Sequence, residues 1–267
     1  MAISAYLIEE HGSNGLSYLI NPTFMIMKLS SERKKGFTLI ELLVVITIIG
    51  ILAGIAIGPM GDILFNTSRT ASGEDLGTIY TTIRDKSAGG EIAWPSNDKL
   101  NGAAQNIAIF VYKENSNVDK PSMYFLSKDP ALELFEDDDG EQIPERITDI
   151  EGSLDGVKEA FGYCIAVPST KTSVRLKSAK SGIYPIMWTR GLESGETEWS
   201  EDSPWSGSGG HVLFSNGSVE WYDNTEGKDE KGVFKKYLKS GSKEQDSFTS
   251  DISQAIPENW EILDPSE

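Results

Sequence analysis

The residue that most invites a chemical reading is Glu41, the one charged side chain between Phe37 and Gly58. A carboxylate in an apolar run costs roughly 2.5–3.5 kcal/mol near the middle of a spanning helix, and less near its end. Such a group needs a cation or hydrogen-bond donors, and the run itself contains no cation. Other reactive side chains are scarce. Beyond residue 36 the only histidine is His211, so a Ser-His-Asp or Cys-His site would have to use it. Cys164 is the single cysteine, which excludes an internal disulfide and reads as a buried small side chain. Zinc sites built on several His or Cys ligands are excluded by the count, and no phosphate-cradling glycine loop with its Lys and Ser/Thr is present. Two oxygen-rich stretches, residues 137–141 and 223–230, could offer calcium ligands in Asp137, Asp139, Asp223 and Asp229. Neither has EF-hand spacing, and a solvated acidic loop is the simpler reading. No other cofactor is expected, and no enzyme.

The element that must position Glu41 is the apolar run itself. As a helix it would measure about 33 Å at 1.5 Å per residue, close to the hydrocarbon thickness of a bilayer. Lys28, Arg33, Lys34 and Lys35 precede it, which keeps the N-terminus cytoplasmic by the positive-inside bias and sends the rest of the chain across the inner membrane. Gly58-Pro59-Met60-Gly61 is a helix-breaking junction rather than a signal-peptidase site. A cut between Gly36 and Phe37 would create an α-amino group four residues from Glu41, supplying the missing cation.

Lys34-Lys35-Gly36-Phe37-Thr38-Leu39-Ile40-Glu41, followed by the apolar helix, resembles the class III signal of type IV pilins and of type II secretion pseudopilins. The resemblance covers about 25 residues. It implies cleavage after Gly36 by a prepilin peptidase, N-methylation at Phe37, and a Glu41 carboxylate that pairs with the terminal amine of a neighbouring subunit during assembly. The partners implied are that peptidase and other pilin or pseudopilin subunits. The function implied is a structural subunit of a type II secretion pseudopilus. A type IV pilus subunit for adhesion, motility or DNA uptake is the alternative, as is a monomeric membrane-tethered binding module. Calcium ordering of a loop in some major pseudopilins bears on the acidic stretches. The 36-residue leader is longer than the family's usual one, and a start at Met25 or Met27 would shorten it.

Net charge is −17 over 267 residues. Removing the four basic and three acidic residues before Phe37 leaves −18 on the remainder. Phosphate backbones are bound by clustered Lys and Arg, and no such cluster follows Lys35, so nucleic acid is not an expected partner. The excess acid reads as a solubilising surface.

The fold class expected is α+β and pilin-like, with a long N-terminal hydrophobic helix packed on a C-terminal antiparallel β-sheet domain. Residues 1–36 form the leader, 37–58 the membrane and filament-core half of the helix, 59–88 its amphipathic half, and 89–267 the extracytoplasmic β-rich domain. Leu76, Ile79, Tyr80 and Ile83 fall at i, i+3, i+4 and i+7, a helical apolar stripe. Pro59 predicts a bend or fraying around Gly58–Gly61, and Gly89-Gly90 the helix end. Asn106–Tyr112 is too short to assign between strand and buried helix. Phe161–Pro168 predicts a strand with a large face (Phe161, Tyr163, Ile165, Val167) and a small one (Gly162, Cys164, Ala166). Ile183–Thr189 predicts an edge or bulged strand because of Pro185.

His211–Asp223 predicts a hairpin. Asn216-Gly217 suits a two-residue type I′ turn, which places Phe214 opposite Val219, Val212 opposite Trp221 and His211 opposite Tyr222. The hairpin also partly resembles the C-terminal signature of large pilin-like families, with Asn216 where they have aspartate. Residues 191–210 read as a long surface loop whose Trp199 and Trp205 fold back onto the sheet. Residues 251–267 are expected to pack one apolar turn on the domain.

Overall fold

A long helix, α1 (Leu39–Asp85), opens the part of the chain that the computed structural model describes, namely residues 37–85, 92–135, 143, 145–147, 154–171, 174–176, 183–237 and 247–265. Gly36, Asp137, Asp139 and the Gly89-Gly90 stop signal lie outside the described residues. The chain divides into two compact units, residues 1–53 and 54–267.

The backbone of α1 stays helical through Pro59 and Gly61, so the fraying expected as one alternative to a bend does not occur. Proline removes a single donor, one rung in a ladder of 47 residues. Thr47, Thr67, Thr70 and Thr78 each donate their hydroxyl to the carbonyl four residues back, which satisfies these polar side chains within the helix. Among the described residues, no helix is long and apolar enough to cross a membrane.

In the second unit, Leu76, Ile79, Tyr80 and Ile83 are buried, as their spacing predicts. Five strands form the sheet they cover: β2 (Tyr163–Pro168), β4 (Pro185–Thr189), β5 (Gly210–Phe214), β6 (Val219–Tyr222) and β9 (Trp260–Leu263). Their order is β6-β5-β4-β2-β9 and every neighbouring pair is antiparallel. Two small antiparallel pairs accompany it, β1 (Ile92–Trp94) with β3 (Val174–Leu176), and β7 (Phe234–Lys235) with β8 (Phe248–Thr249). Two helices, α2 (Asn97–Leu100) and α3 (Ile107–Glu114), follow β1. The ambiguous Asn106–Tyr112 stretch therefore belongs to a helix, with Ile107, Ala108 and Val111 buried at helical spacing.

Register assigns the faces. Cys164 lies opposite Trp188, and Trp188 opposite Val212, so these three share one face. Ile165, Met187 and Leu213 share the other, together with His211. Because Ser72 of α1 reaches His211, the helix covers the face that carries Tyr163 and Ile165, the large one. The small face is buried too. Trp199 donates its indole N–H to the Thr189 carbonyl at 3.0 Å, and a Cβ on Gly210 would overlap that ring. Phe234 of β7 packs there against Tyr222, 5.8 Å between ring centres.

Of the edge or bulged strand expected from Pro185, the bulged alternative holds: β4 is interior, with a bulge between Pro185 and Met187. Beyond Ile165 the pairing of β2 with β4 stops, and the Ala166 carbonyl instead accepts from Trp94 Nε1 at 2.8 Å. The C-terminal segment contributes β9, an edge strand, rather than one apolar turn.

The hairpin is real, but its register is one residue off the type I′ expectation. His211 lies opposite Trp221, Val212 opposite Glu220 and Leu213 opposite Val219. Phe214 N–H donates to the Ser218 carbonyl, and Gly217 N–H to the Phe214 carbonyl, which makes a three-residue loop of Ser215, Asn216 and Gly217. Only Gly217 of these has positive φ, +88°. That is a type I turn closed by a left-handed glycine. The Asn216 side chain decides the choice: its Oδ1 accepts from the Ser218 N–H and hydroxyl at 3.0 and 2.9 Å.

Candidate assembly site

Thr38 stands directly before α1 and bonds Glu41 in both directions. Glu41 Oε2 accepts from the Thr38 N–H and from the Thr38 hydroxyl, each at 2.8 Å. Glu41 N–H donates back to Thr38 Oγ1 at 3.3 Å. This is a capping box, in which an N-cap hydroxyl and an acid three residues on satisfy each other's backbone donors. The carboxylate also sits where the positive end of the helix dipole favours it, worth about 0.3–1 kcal/mol. Spacing Thr-x-x-Glu before an apolar run is the sequence signal for this device, and the sequence reading left it unused.

Around and beyond the box the apolar side chains are bare. Phe37 is 79% exposed and Leu39 81%, and every large apolar residue from Ile40 to Ile55 is exposed as well. Exposure on all sides of a helix leaves no buried stripe. A surface of this size and character calls for an apolar environment, lipid or protein. Chemically, the site can do one thing: present a carboxylate at the head of an apolar rod, held by its own helix end. One turn away from Glu41, the Phe37 backbone nitrogen is where a cut after Gly36 would place a charged amine.

The other candidates divide. His211 has a serine beside it, with Nδ1 3.0 Å from Ser72 Oγ. The pair is buried, the Ser72 hydroxyl donates to the Arg69 carbonyl at 3.0 Å, and Arg69 rather than a carboxylate lies nearby. Burial, with Arg69 as a second cause, lowers the histidine to about 4. The ring Nε2 would meet a Cβ at position 73 at 3.0 Å, so Gly73 is what lets the helix approach. His211 is a packing residue with Trp221, 4.9 Å between ring centres. Cys164 is buried; its thiol lies 3.2 Å from Asp264 Oδ2, and burial pushes it well up. Asp223 accepts from Trp221 Nε1 at 2.7 Å, and Asp229 stands exposed in a turn. Among the described residues, no three His, Cys, Asp or Glu gather as a metal site.

Residues 32–57 match a family model described as a prokaryotic N-terminal methylation motif. They hold the class III prepilin signal, so Gly36, Phe37, Thr38 and Glu41 all fall within a prepilin-type segment. No curated protein and no solved structure matches the chain. The α+β content, with an N-terminal helix and an antiparallel sheet, accords with that signal without adding to it.

Proposed function

We propose that this chain is a non-catalytic prepilin-like subunit, cut after Gly36, methylated at Phe37 and assembled with its own kind or with related subunits into a type II secretion pseudopilus. The observation that carries the reading is the methylation motif over residues 32–57, set on the end of a helix whose large apolar side chains from Leu39 to Ile55 are all exposed.

Before assembly, residues 37–58 sit in the inner membrane with the N-terminus cytoplasmic and the β-rich domain outside. Support for this lies in the sequence: basic residues before the run, one acid within it, and a length of about 33 Å if helical. The capping box adds a reason why Glu41 tolerates that setting. Its charge is shared with two donors of Thr38, so it carries less of the penalty of an unpaired acid.

Assembly then exchanges lipid for neighbouring helices. Hydrophobic energy changes little in that exchange, because lipid tails are as apolar as leucine. Register must come from packing and from the one polar group available. Cleavage supplies an amine, and a carboxylate already aimed at the helix end is placed to accept it from a neighbour. Both bonds are charge-assisted at the carboxylate; the intersubunit one adds a charged donor, whose Coulomb attraction in an apolar setting favours the exchange.

The test is Glu41→Gln in an assembling cell. Sheared filament fractions should lose the subunit while membrane fractions retain it cut and at normal level. Filaments of normal yield with Gln at position 41 would refute the assembly role, and a tether would behave that way. Deleting the chain should block export of folded cargo if the filament is a secretion pseudopilus; loss of adhesion or motility with normal export would move the reading to a surface pilus.

A further inference from the structure

The five-stranded sheet ends in β9, whose outer edge is set by the register with β2. Ser169 N–H donates to the Asn259 carbonyl at 3.0 Å, and Ile165 lies opposite Leu263. In an antiparallel ladder the bonded pairs alternate, so Asn259, Glu261 and Leu263 turn their backbone toward β2. Trp260 and Ile262 turn theirs away. The Trp260 N–H is taken by the Pro257 carbonyl at 2.9 Å. The Trp260 carbonyl and both Ile262 backbone groups are left facing outward, with no described group bonded to them.

A groove of about 630 Å³ lies beside β9, which lines it with Trp260 and Ile262. Ile256, Trp260 and Ile262 give it an apolar floor, and Glu193, Glu258 and Asp264 line it with acid. Its two walls are fastened together without any ligand. Asp251 Oδ1 accepts from Gly195 N–H at 3.2 Å and from Ser253 N–H at 2.9 Å, tying the loop after β4 to the 3₁₀ turn Ile252–Gln254. A groove held open in this way has little ordering cost at binding.

We propose that the β9 edge is a docking site for an extended, basic segment of a partner protein, added as a short strand. Charge selects the occupant. An alternating Lys/apolar segment complements both the acids and the floor, and the long-range repulsion between two chains of net charge −17 opposes the approach of a second copy. The same acids keep an exposed edge from pairing with its own copies. Four residues of edge, about 13 Å, accommodate three or four partner residues, so binding is weak and fast-exchanging. The site lies wholly in the second unit, and the inference does not depend on filament assembly.

The experiment uses the full chain in uncharged detergent micelles and a fluorescent, end-capped Lys-Val-Lys-Val-Lys-Val peptide followed by anisotropy. Saturable binding below about 1 mM is expected. N-methylating alternate amides on one edge of the peptide should weaken it about tenfold and methylating the other edge should leave it unchanged. A Glu-Val peptide of the same length should not bind. Ile262→Pro removes an outward N–H without touching the β2 ladder, and should reproduce the tenfold loss with an unaltered unfolding midpoint. Glu193→Gln should weaken binding and flatten its salt dependence. Absence of saturable binding, equal binding of both singly methylated peptides, or equal binding of the Glu-Val peptide overturns the proposal. So does a dimer of the chain that Ile262→Pro dissociates, because a second copy would then own the edge.

Discussion

His211 on β5 and Ser72 on α1 meet through a 3.0 Å contact between Nδ1 and Oγ, 139 residues apart in the chain. This contact joins the helix to the hairpin at a place where the ring cannot accept a proton without cost, since burial and Arg69 both oppose the charged form. The unfolded chain would hold its histidine near 6.5, the folded one near 4. Between those values the unfolded state binds more protons, so stability is complete above about pH 6.5 and falls as pH drops toward 4. The shift corresponds to roughly 3 kcal/mol at most. Thermal unfolding at steps from pH 7 to 5 should show this slope in the wild type and lose most of it in His211→Asn. Equal slopes would remove His211 from the account.

Gly217 and Gly77 respond in opposite directions to the same substitution. A Cβ on Gly217 would overlap the Tyr80 ring, and its φ of +88° already strains an L residue. Gly217→Ala should cost about 2 kcal/mol or more, from the left-handed backbone and the displaced ring together. Gly77 has nothing within 4 Å of its would-be Cβ and lies inside a helix. Gly77→Ala should stabilise by roughly 0.5–1 kcal/mol. Denaturant midpoints for the two variants check both signs.

Arg190 and Asp129 form a buried, two-pronged ion pair, with Nη2 2.6 and 2.7 Å from the two carboxylate oxygens. Arg190 Nη1 also donates to the Asp202 carbonyl at 3.1 Å, fixing the start of the Trp205 loop. Asp129→Ala leaves the buried guanidinium without its paired carboxylate, and should cost about 3–5 kcal/mol. Urea unfolding would show it. A loss below about 1 kcal/mol would mean the pair contributes nothing that water cannot replace.

Cys164 should be inert in the folded chain. Its thiol is buried beside Asp264 and held protonated, and the thiolate is the reactive form. A maleimide reagent at pH 7 should label it only as fast as the domain unfolds, and rapidly in denaturant. Fast labelling of the native chain would contradict that environment.

How far the sequence reached can be judged from particular residues. Leu76, Ile79, Tyr80 and Ile83 were legible because helical periodicity is a local signal, and each is buried. The strand at Tyr163–Pro168 was legible from its β-favouring composition, whereas the face that meets α1 depends on Gly73 making room for His211. The hairpin turn was readable, but its register was not, because Asn-Gly suits both a two-residue and a three-residue loop. The Asn216 side-chain bonds to Ser218 decide between them. The interior position of β4 was hidden by Pro185, whose lost donor the bulge absorbs. The strand role of Trp260–Leu263 follows from pairing with β2, a contact nearly 100 residues distant that no local pattern announces. At the head of α1, Gly36, Phe37, Thr38 and Glu41 fall within the matched segment, while the capping role of Thr38 emerged only with its bonds to Glu41.

The central claim is that this chain is a substrate of a prepilin peptidase. Intact mass and N-terminal sequencing of the protein from membranes of cells with and without that peptidase test it most directly. The account predicts a chain beginning at Phe37 with one added methyl group when the peptidase is present, and an uncut chain when it is absent. An uncut chain in both strains would contradict it, leaving a plain anchor with an internally capped Glu41.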